Sequence, residues 1–236
     1  MTEEKKIKND DIIEAMFKAG AHFGYQKSRR NASVAPYIYG TKNKTEIIDL
    51  EETVKMLEKA KDFVTELAKL GKQILFVGGK NEARNTVKIG AMSVDMPYID
   101  GRWIGGTITN TTEIKKRVAK FEDLQRQKEK GELSKYTKKE KMLIEKEIDN
   151  LDIMFSGIVG MKDLPKALFV IDSKKENIAV SEAKKAGIPV IALANTDCNI
   201  KEIDYPIVAN DASVSSISFF VSEIVKAYKA GKVAKN

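Results

Sequence analysis

The sequence predicts an α/β fold, a mainly parallel β-sheet covered by helices on both faces, with an antiparallel helical hairpin inserted into it. Three observations predict it. The runs Ile74-Leu75-Phe76-Val77, Ala167-Leu168-Phe169-Val170-Ile171 and Val190-Ile191-Ala192-Leu193 are apolar at every position, as strands covered on both faces are. Helix-periodic segments alternate with these runs, the pattern of βαβ units. The stretch 111–151 breaks the alternation with two charged segments of helical period separated by Gly131.

Taken in order, Asp10 and Asp11 precede Ile12, Ile13, Met16 and Phe17 and read as the N-cap of a short helix that stops at Gly20. Residues 21–44 have little periodicity and read as a loop. They collect His22, Tyr25, Lys27, Arg29, Arg30, Tyr37, Tyr39, Lys42 and Lys44, a mixture of cations and stacking surfaces. Ile47-Ile48-Asp49-Leu50 suggests a short strand, and Val54, Leu57, Ala60, Val64 and Leu67 follow at helical spacing until Gly71. After the run at 74–77 comes Gly78-Gly79, then a helix through Ala83, Val87 and Ala91, then a weaker strand at Pro97-Tyr98-Ile99.

In the hairpin, Ile114, Val118, Phe121 and Leu124 form one apolar stripe and Leu143, Ile144, Ile148 and Leu151 the other. The remaining positions are rich in Lys, Arg and Glu. A solvated coiled-coil projection is preferred over a specific contact code, and at ~1.5 Å per residue each arm extends about 25 Å. Between the later strands a helix runs from Ile178 to Ala186 and stops at Gly187; a last helix carries Val214, Ile217, Val221, Ile224 and Val225. The organisation expected is one domain over 1–236: an α/β core at 1–110 and 152–230, the hairpin at 111–151 and a basic tail at 231–236.

The 236 residues carry 41 Lys plus Arg against 34 Asp plus Glu, a formal charge of +7, which favours anionic partners such as nucleic acid or acidic membranes without selecting one. With 42% hydrophobic residues the chain has enough apolar side chain for a sizeable core. One cysteine, Cys198, excludes an intrachain disulfide, and with His22 the sole histidine, a four-ligand Cys/His zinc site cannot be completed. The start MTEEKKIKNDDII lacks the apolar core of a secretory signal, and no run approaches the ~18 apolar residues that span a bilayer. A cytoplasmic protein without membrane partners is expected.

Chemistry-bearing motifs are sparse. Val77-Gly78-Gly79-Lys80-Asn81 invites a phosphate reading at a helix N-terminus, but lacks both the G-x-G-x-x-G and the G-x-x-x-x-G-K-[ST] pattern, so a tight turn is preferred. Asp172, Asn195 and Asp197 follow strands, where open α/β sheets place ligands; turn or cap roles are preferred for them. No Ser-His-Asp, Cys-His or H-E-x-x-H arrangement surrounds His22. Cys198 reads as a small buried side chain. Trp103, beside Arg102, is equally compatible with the core and with stacking on RNA. No catalytic residue, metal ligand, cofactor or small-molecule substrate is expected.

An ordered series of blocks carries a resemblance. It runs Ala19-Gly20-Ala21-His22-Phe23-Gly24, Ala35-Pro36-Tyr37-Ile38-Tyr39-Gly40, Ile47-Ile48-Asp49-Leu50, Ile74-Leu75-Phe76-Val77-Gly78, then Met96-Pro97-Tyr98 and Arg102-Trp103-Ile104-Gly105-Gly106-Thr107 with Thr109-Asn110. Leu164-Pro165, the run to Ile171-Asp172, Gly187-Ile188-Pro189-Val190 and Ile203-Asp204-Tyr205-Pro206-Ile207 complete it. In this order, over nearly the whole chain, they resemble the family of the second protein of the bacterial small ribosomal subunit.

The resemblance implies a flavodoxin-like three-layer α/β/α fold with a coiled-coil hairpin. It also implies a structural, non-enzymatic role on small-subunit (16S-type) ribosomal RNA near the head–body junction, and contact with other small-subunit proteins, among them the large flexible first protein. The chain departs from the family at Tyr25, where a second His is usual, at Asn31-Ala32-Ser33 in place of Trp-Asn-Pro, and at Thr111 in place of Phe. The RNA-binding residues expected are His22, Tyr25, Gln26, Lys27, Arg29, Arg30, Tyr37, Lys42, Lys44, Arg102, Trp103, Lys115 and Lys116. Of these, Lys27, Arg29, Arg30, Lys42 and Lys44 are expected on phosphates and Tyr25 and Tyr37 on bases or sugars. Lys115 and Lys116, with Arg117, either extend the track or keep their helix soluble. Two other readings remain open at this point: a nucleotide-binding enzyme on the same fold, and a non-ribosomal scaffold or adhesion protein.

Overall fold

A computed structural model describes residues 3–161 and 163–233. Its centre is a five-stranded, all-parallel sheet of β4 (Ile74–Val77), β5 (Tyr98–Ile99), β6 (Ala167–Ile171), β7 (Val190–Ala194) and β8 (Tyr205–Val208), in the order β5-β4-β6-β7-β8. Counted along the parallel strands this is the 2-1-3-4-5 order of flavodoxin-like folds. The three apolar runs are its three central strands. Alternate residues go to opposite faces. Ile74 and Phe76 of β4 with Ala167, Phe169 and Ile171 of β6 enter one core, whereas Leu75 and Val77 with Leu168 and Val170 enter the other.

The first core lies beneath α2 (Leu50–Lys69), α3 (Asn81–Met92) and α7 (Val214–Val233), and α1 (Glu3–Lys18) adds Met16 to it. Phe76 and Phe169, paired in register, meet edge to face with centroids 5.4 Å apart. Fully burying each such ring contributes about 1.5–3 kcal/mol. Asp49 caps α2 by accepting from the Glu51 amide at 2.9 Å, and the Thr53 hydroxyl of the same helix donates to the Val208 carbonyl at 2.7 Å, tying helix to sheet. The second core is covered by α6 (Asn177–Lys185) and by the helical pair α4 (Thr111–Glu129) and α5 (Lys138–Phe155), which enters the chain between β5 and β6. Gly71 and Gly187, at φ +66° and +67°, end α2 and α6 in the left-handed turn that a side chain would strain.

Four expectations are corrected. Helix α1 begins upstream of Asp10 and Asp11, which lie inside it and cap nothing. The supposed loop 21–44 is largely regular: β1 (Phe23–Gln26), β2 (Ile38–Lys42) and β3 (Thr45–Ile48) form an antiparallel sheet in the order β1-β3-β2, with short 3-10 turns at Lys27–Arg29 and Ala32–Tyr37. Register shifts in both pairings and strands of only 4–5 residues leave no clean alternation to read. In α5 the inward stripe is Ile144, Ile148, Leu151 and Phe155, while Leu143 is 55% exposed, and the helix runs four residues beyond Leu151. Helix α7 continues to Val233 with Gly231 buried, so the expected tail from 231 begins as helix; residues 234–236 lie outside the described residues.

Candidate functional site

The carboxyl ends of the parallel strands converge on Lys80, which follows β4 and precedes α3. Its ammonium lies 2.8 Å from Asp172, after β6, and 3.0 Å from Asp211, after β8. Burial alone lowers a lysine pKa; here the two carboxylates outweigh it and hold Lys80 charged well above its usual range. Asp211 is fully buried and accepts from Asn195 at 3.0 Å. Burial, reinforced by the negative charge of Asp172, pushes its carboxyl up to about 6. Asp172 sits at φ +65° and accepts from the Lys175 amide at 3.0 Å, the turn role expected of it.

Cys198 is buried, and burial raises its thiol to about 11, so it is no nucleophile. One atom from each of Asp172, Cys198 and Asp211 lies within 4.8 Å of the others, a spacing compatible with a metal ion. The ammonium of Lys80 already places a positive charge against both carboxylates. This cluster joins strand ends.

Beside it stands the small antiparallel sheet. Tyr25 donates its amide to Thr196 Oγ1 at 2.9 Å, its hydroxyl is 3.5 Å from Lys80 Nζ, and the Arg29 guanidinium lies 4.5 Å from its ring centroid. Gln26, Lys27, Arg29, Lys42 and Lys44 are exposed. Lys42 and Thr45 flank a two-residue turn, Asn43-Lys44, in which both residues have positive φ, +50° and +65°, the geometry of a type I′ hairpin. Tyr39, on β2, is 81% exposed.

Other expected contacts are half-buried. Arg30 is half-buried and pairs at 3.1 Å with Glu46, whose side chain is fully buried and whose second oxygen has no partner among the described residues. His22 is stacked on Phe17 and packed against Phe23, with centroids 4.3 and 4.0 Å away. Its buried Nδ1 lacks a described partner and burial lowers its pKa. Tyr37 packs against the second core.

Trp103 is 4% exposed and donates Nε1–H to Glu182 at 3.2 Å. Glu182 also accepts from the amides of Gly106 (2.6 Å), Ile108 (3.0 Å) and Thr109 (3.2 Å). Burial raises its pKa, but these donors reverse that and the net direction is down. One carboxylate on α6 therefore fixes the loop from which α4 starts, an anchor independent of the apolar residue that Thr111 replaces.

Arg102 is exposed, in the wall of a cleft with Gly79, Arg84 and Lys175. Lys116 pairs with Glu113 at 2.7 Å, and Lys115 lines a groove of about 800 Å³ between α4 and the segment that follows α5. Sequence reasoning missed Glu46, Glu182 and Arg84. A carboxylate in a short strand or amphipathic helix reads as solvated, and only tertiary structure supplies its partners. Arg84 stands one helical turn past Gly79-Lys80, which could have drawn notice.

The chain is a parallel-sheet α/β protein whose strand ends are closed by internal ion pairs and flanked by an exposed face of cations and aromatics. Residues 16–231 match the family described as Ribosomal protein S2. The chain belongs to that family. It is 41% identical over 220 residues to the small ribosomal subunit protein uS2 of Coprothermobacter proteolyticus, covering 93% of this chain and 82% of the relative. It is 43% identical over 212 residues to the protein of that name from Desulforapulum autotrophicum (90% and 76% covered), and 41% over 215 residues to that of Chloroflexus aggregans (91% and 90%). The family is structural, and the chain is not an enzyme.

Proposed function

We propose that this chain is a structural constituent of the small subunit of the bacterial cytoplasmic ribosome, held there by ribosomal RNA near the head–body junction. No described helix is long and apolar enough to cross a membrane. The observation that carries the reading is the antiparallel sheet: Lys27, Arg29, Lys42 and Lys44 project from it unpaired among the described residues, with Arg29 laid over Tyr25. Exposed cations take phosphates and release counterions, while guanidinium and phenol planes offer stacking surface. Tyr39 joins this face. Gln26 and Arg102 are secondary contacts; Lys115 and Lys116 extend the track along α4. His22, Arg30 and Tyr37 support the face, and Trp103 is held apart from it by Glu182. The helical pair 111–155 serves as a coiled-coil arm for neighbouring small-subunit proteins, and the large flexible first protein docks on this chain, as the resemblance implies.

Co-sedimentation tests the reading. The variant with Lys27, Arg29, Lys42 and Lys44 all replaced by Gln should keep its thermal transition and lose most of its incorporation into small subunits in competition with the parent chain. Equal incorporation contradicts the reading.

A further inference from the structure

The flavodoxin-like strand order creates a crevice outside the carboxyl ends of β4 and β6, where the chain's path across the sheet reverses. It holds a cleft of about 270 Å³ lined by Gly79, Arg84, Arg102, Lys175 and Glu176, with Trp103 in its wall. We propose that this cleft is a phosphate-recognition site occupied by a backbone phosphate of the RNA, an inference that rests on the RNA-binding role and locates one contact within it.

Three cations line the cleft against one acid. Arg84 and Arg102 are exposed and make no ion pair among the described residues, and Lys175 donates to the Gly79 carbonyl at 3.4 Å and attracts the neighbouring Glu176 carboxyl. Glu176 is 5% exposed and its carboxyl is engaged by the Gly79 amide, so the acid is withdrawn while the cations are presented. Two helix N-termini, those of α3 and α6, flank the cleft with N-cap residues Lys80 and Glu176, neither of which caps with its side chain. Their positive ends add to the guanidinium charge.

Guanidinium pairs suit phosphate because the planar fork matches two of its oxygens. A free dinucleotide fits poorly: small-molecule pockets run to about 300–1,000 Å³ and phosphate-binding loops to glycine fingerprints absent here. The site also lies near the proposed RNA face. Arg29 lies over Tyr25, the Tyr25 hydroxyl is 3.5 Å from Lys80, and Lys80 adjoins Gly79 of the cleft.

The test uses the full chain and purified small-subunit ribosomal RNA, with binding measured across a salt series and the emission of Trp103, the sole tryptophan, as a local reporter. Arg84→Gln/Arg102→Gln should bind about tenfold or more weakly, the range of charge-assisted hydrogen bonds to one phosphate. Its salt slope should be shallower by about 0.7–0.9 for the phosphate lost. Lys42→Gln/Lys44→Gln should lose affinity while keeping the RNA-induced change in Trp103 emission. Unchanged affinity and slope in the arginine variant, with the parent chain binding normally, overturn the cleft assignment and leave the RNA-binding role standing. Absence of any salt-sensitive binding by the parent overturns both. Adenosine monophosphate and inorganic phosphate form the last arm: if either shifts Trp103 emission in an arginine-dependent way while RNA binding ignores the variant, the occupant is a free phosphate compound and the RNA assignment fails.

Discussion

Replacing Arg30 by Ala tests whether this residue holds the fold or the RNA. Its guanidinium is the sole described partner of Glu46, 3.1 Å away, and the Glu46 side chain is completely buried. Removing one member of a buried pair costs about 3–5 kcal/mol, chiefly because the other charge is left uncompensated. The Arg30 side chain is 29% exposed, so water entering its place moderates that cost; a loss of about 2–3 kcal/mol is expected. With a urea m-value near 3 kcal/mol per M for a chain of this size, the midpoint should fall by about 1 M. Arg30→Ala/Glu46→Gln should recover roughly half, since no charge is then stranded. Urea titration followed by Trp103 emission and far-ultraviolet circular dichroism reads both. A midpoint within about 0.2 M of the parent, or a double variant weaker than the sum of the singles, refutes the reasoning. The consequence is practical: variants that include Arg30 confound folding with RNA binding.

Asp211→Asn should alter the pH profile. The folded carboxyl titrates near 6 against an ordinary 3.8, so the fold holds that proton more tightly than the unfolded chain, and the group's stabilising contribution is present at low pH and lost as pH rises from about 4 through 6. Parent stability minus variant stability should therefore fall across that window; a flat or rising difference contradicts the assignment. Lys44→Gly should raise stability by about 0.5–1 kcal/mol, because the left-handed φ of +65° costs lysine more than glycine, while weakening RNA binding. Glu182→Gln should lower stability by about 2–4 kcal/mol, as two or more charged hydrogen bonds to the 106–109 amides are lost; a thermal melt unchanged within about 1 °C counts against it. Cys198, with its thiol at about 11, should resist a thiol reagent at mild alkaline pH until the chain is unfolded.

The central sheet was legible because the runs at 74–77, 167–171 and 190–194 are apolar at every position, and side chains that alternate between two faces are all apolar only where both faces are covered. Strand β8 was harder to read, since Tyr205-Pro206 begins it with a half-buried pair and a residue that cannot donate. The antiparallel sheet escaped because its strands are short and irregular in register. The expected RNA contacts differ in exposure: lysines at 27, 42 and 44 follow the rule that charge stays in water, whereas Arg30 and Trp103 are held by Glu46 and Glu182. Those carboxylates are distant in sequence and carry no local signature of burial. The positive charge of the chain was visible from the outset, but not how it is divided between Lys80, consumed by two aspartates, and Arg84, left open to solvent.

A near-atomic map of the small subunit containing this chain tests the account most directly. The prediction is ribosomal RNA phosphates within hydrogen-bonding distance of Lys27, Arg29, Lys42 and Lys44, with one further phosphate between Arg84 and Arg102. RNA running elsewhere on the chain, with the β1–β2–β3 face open to solvent, contradicts it.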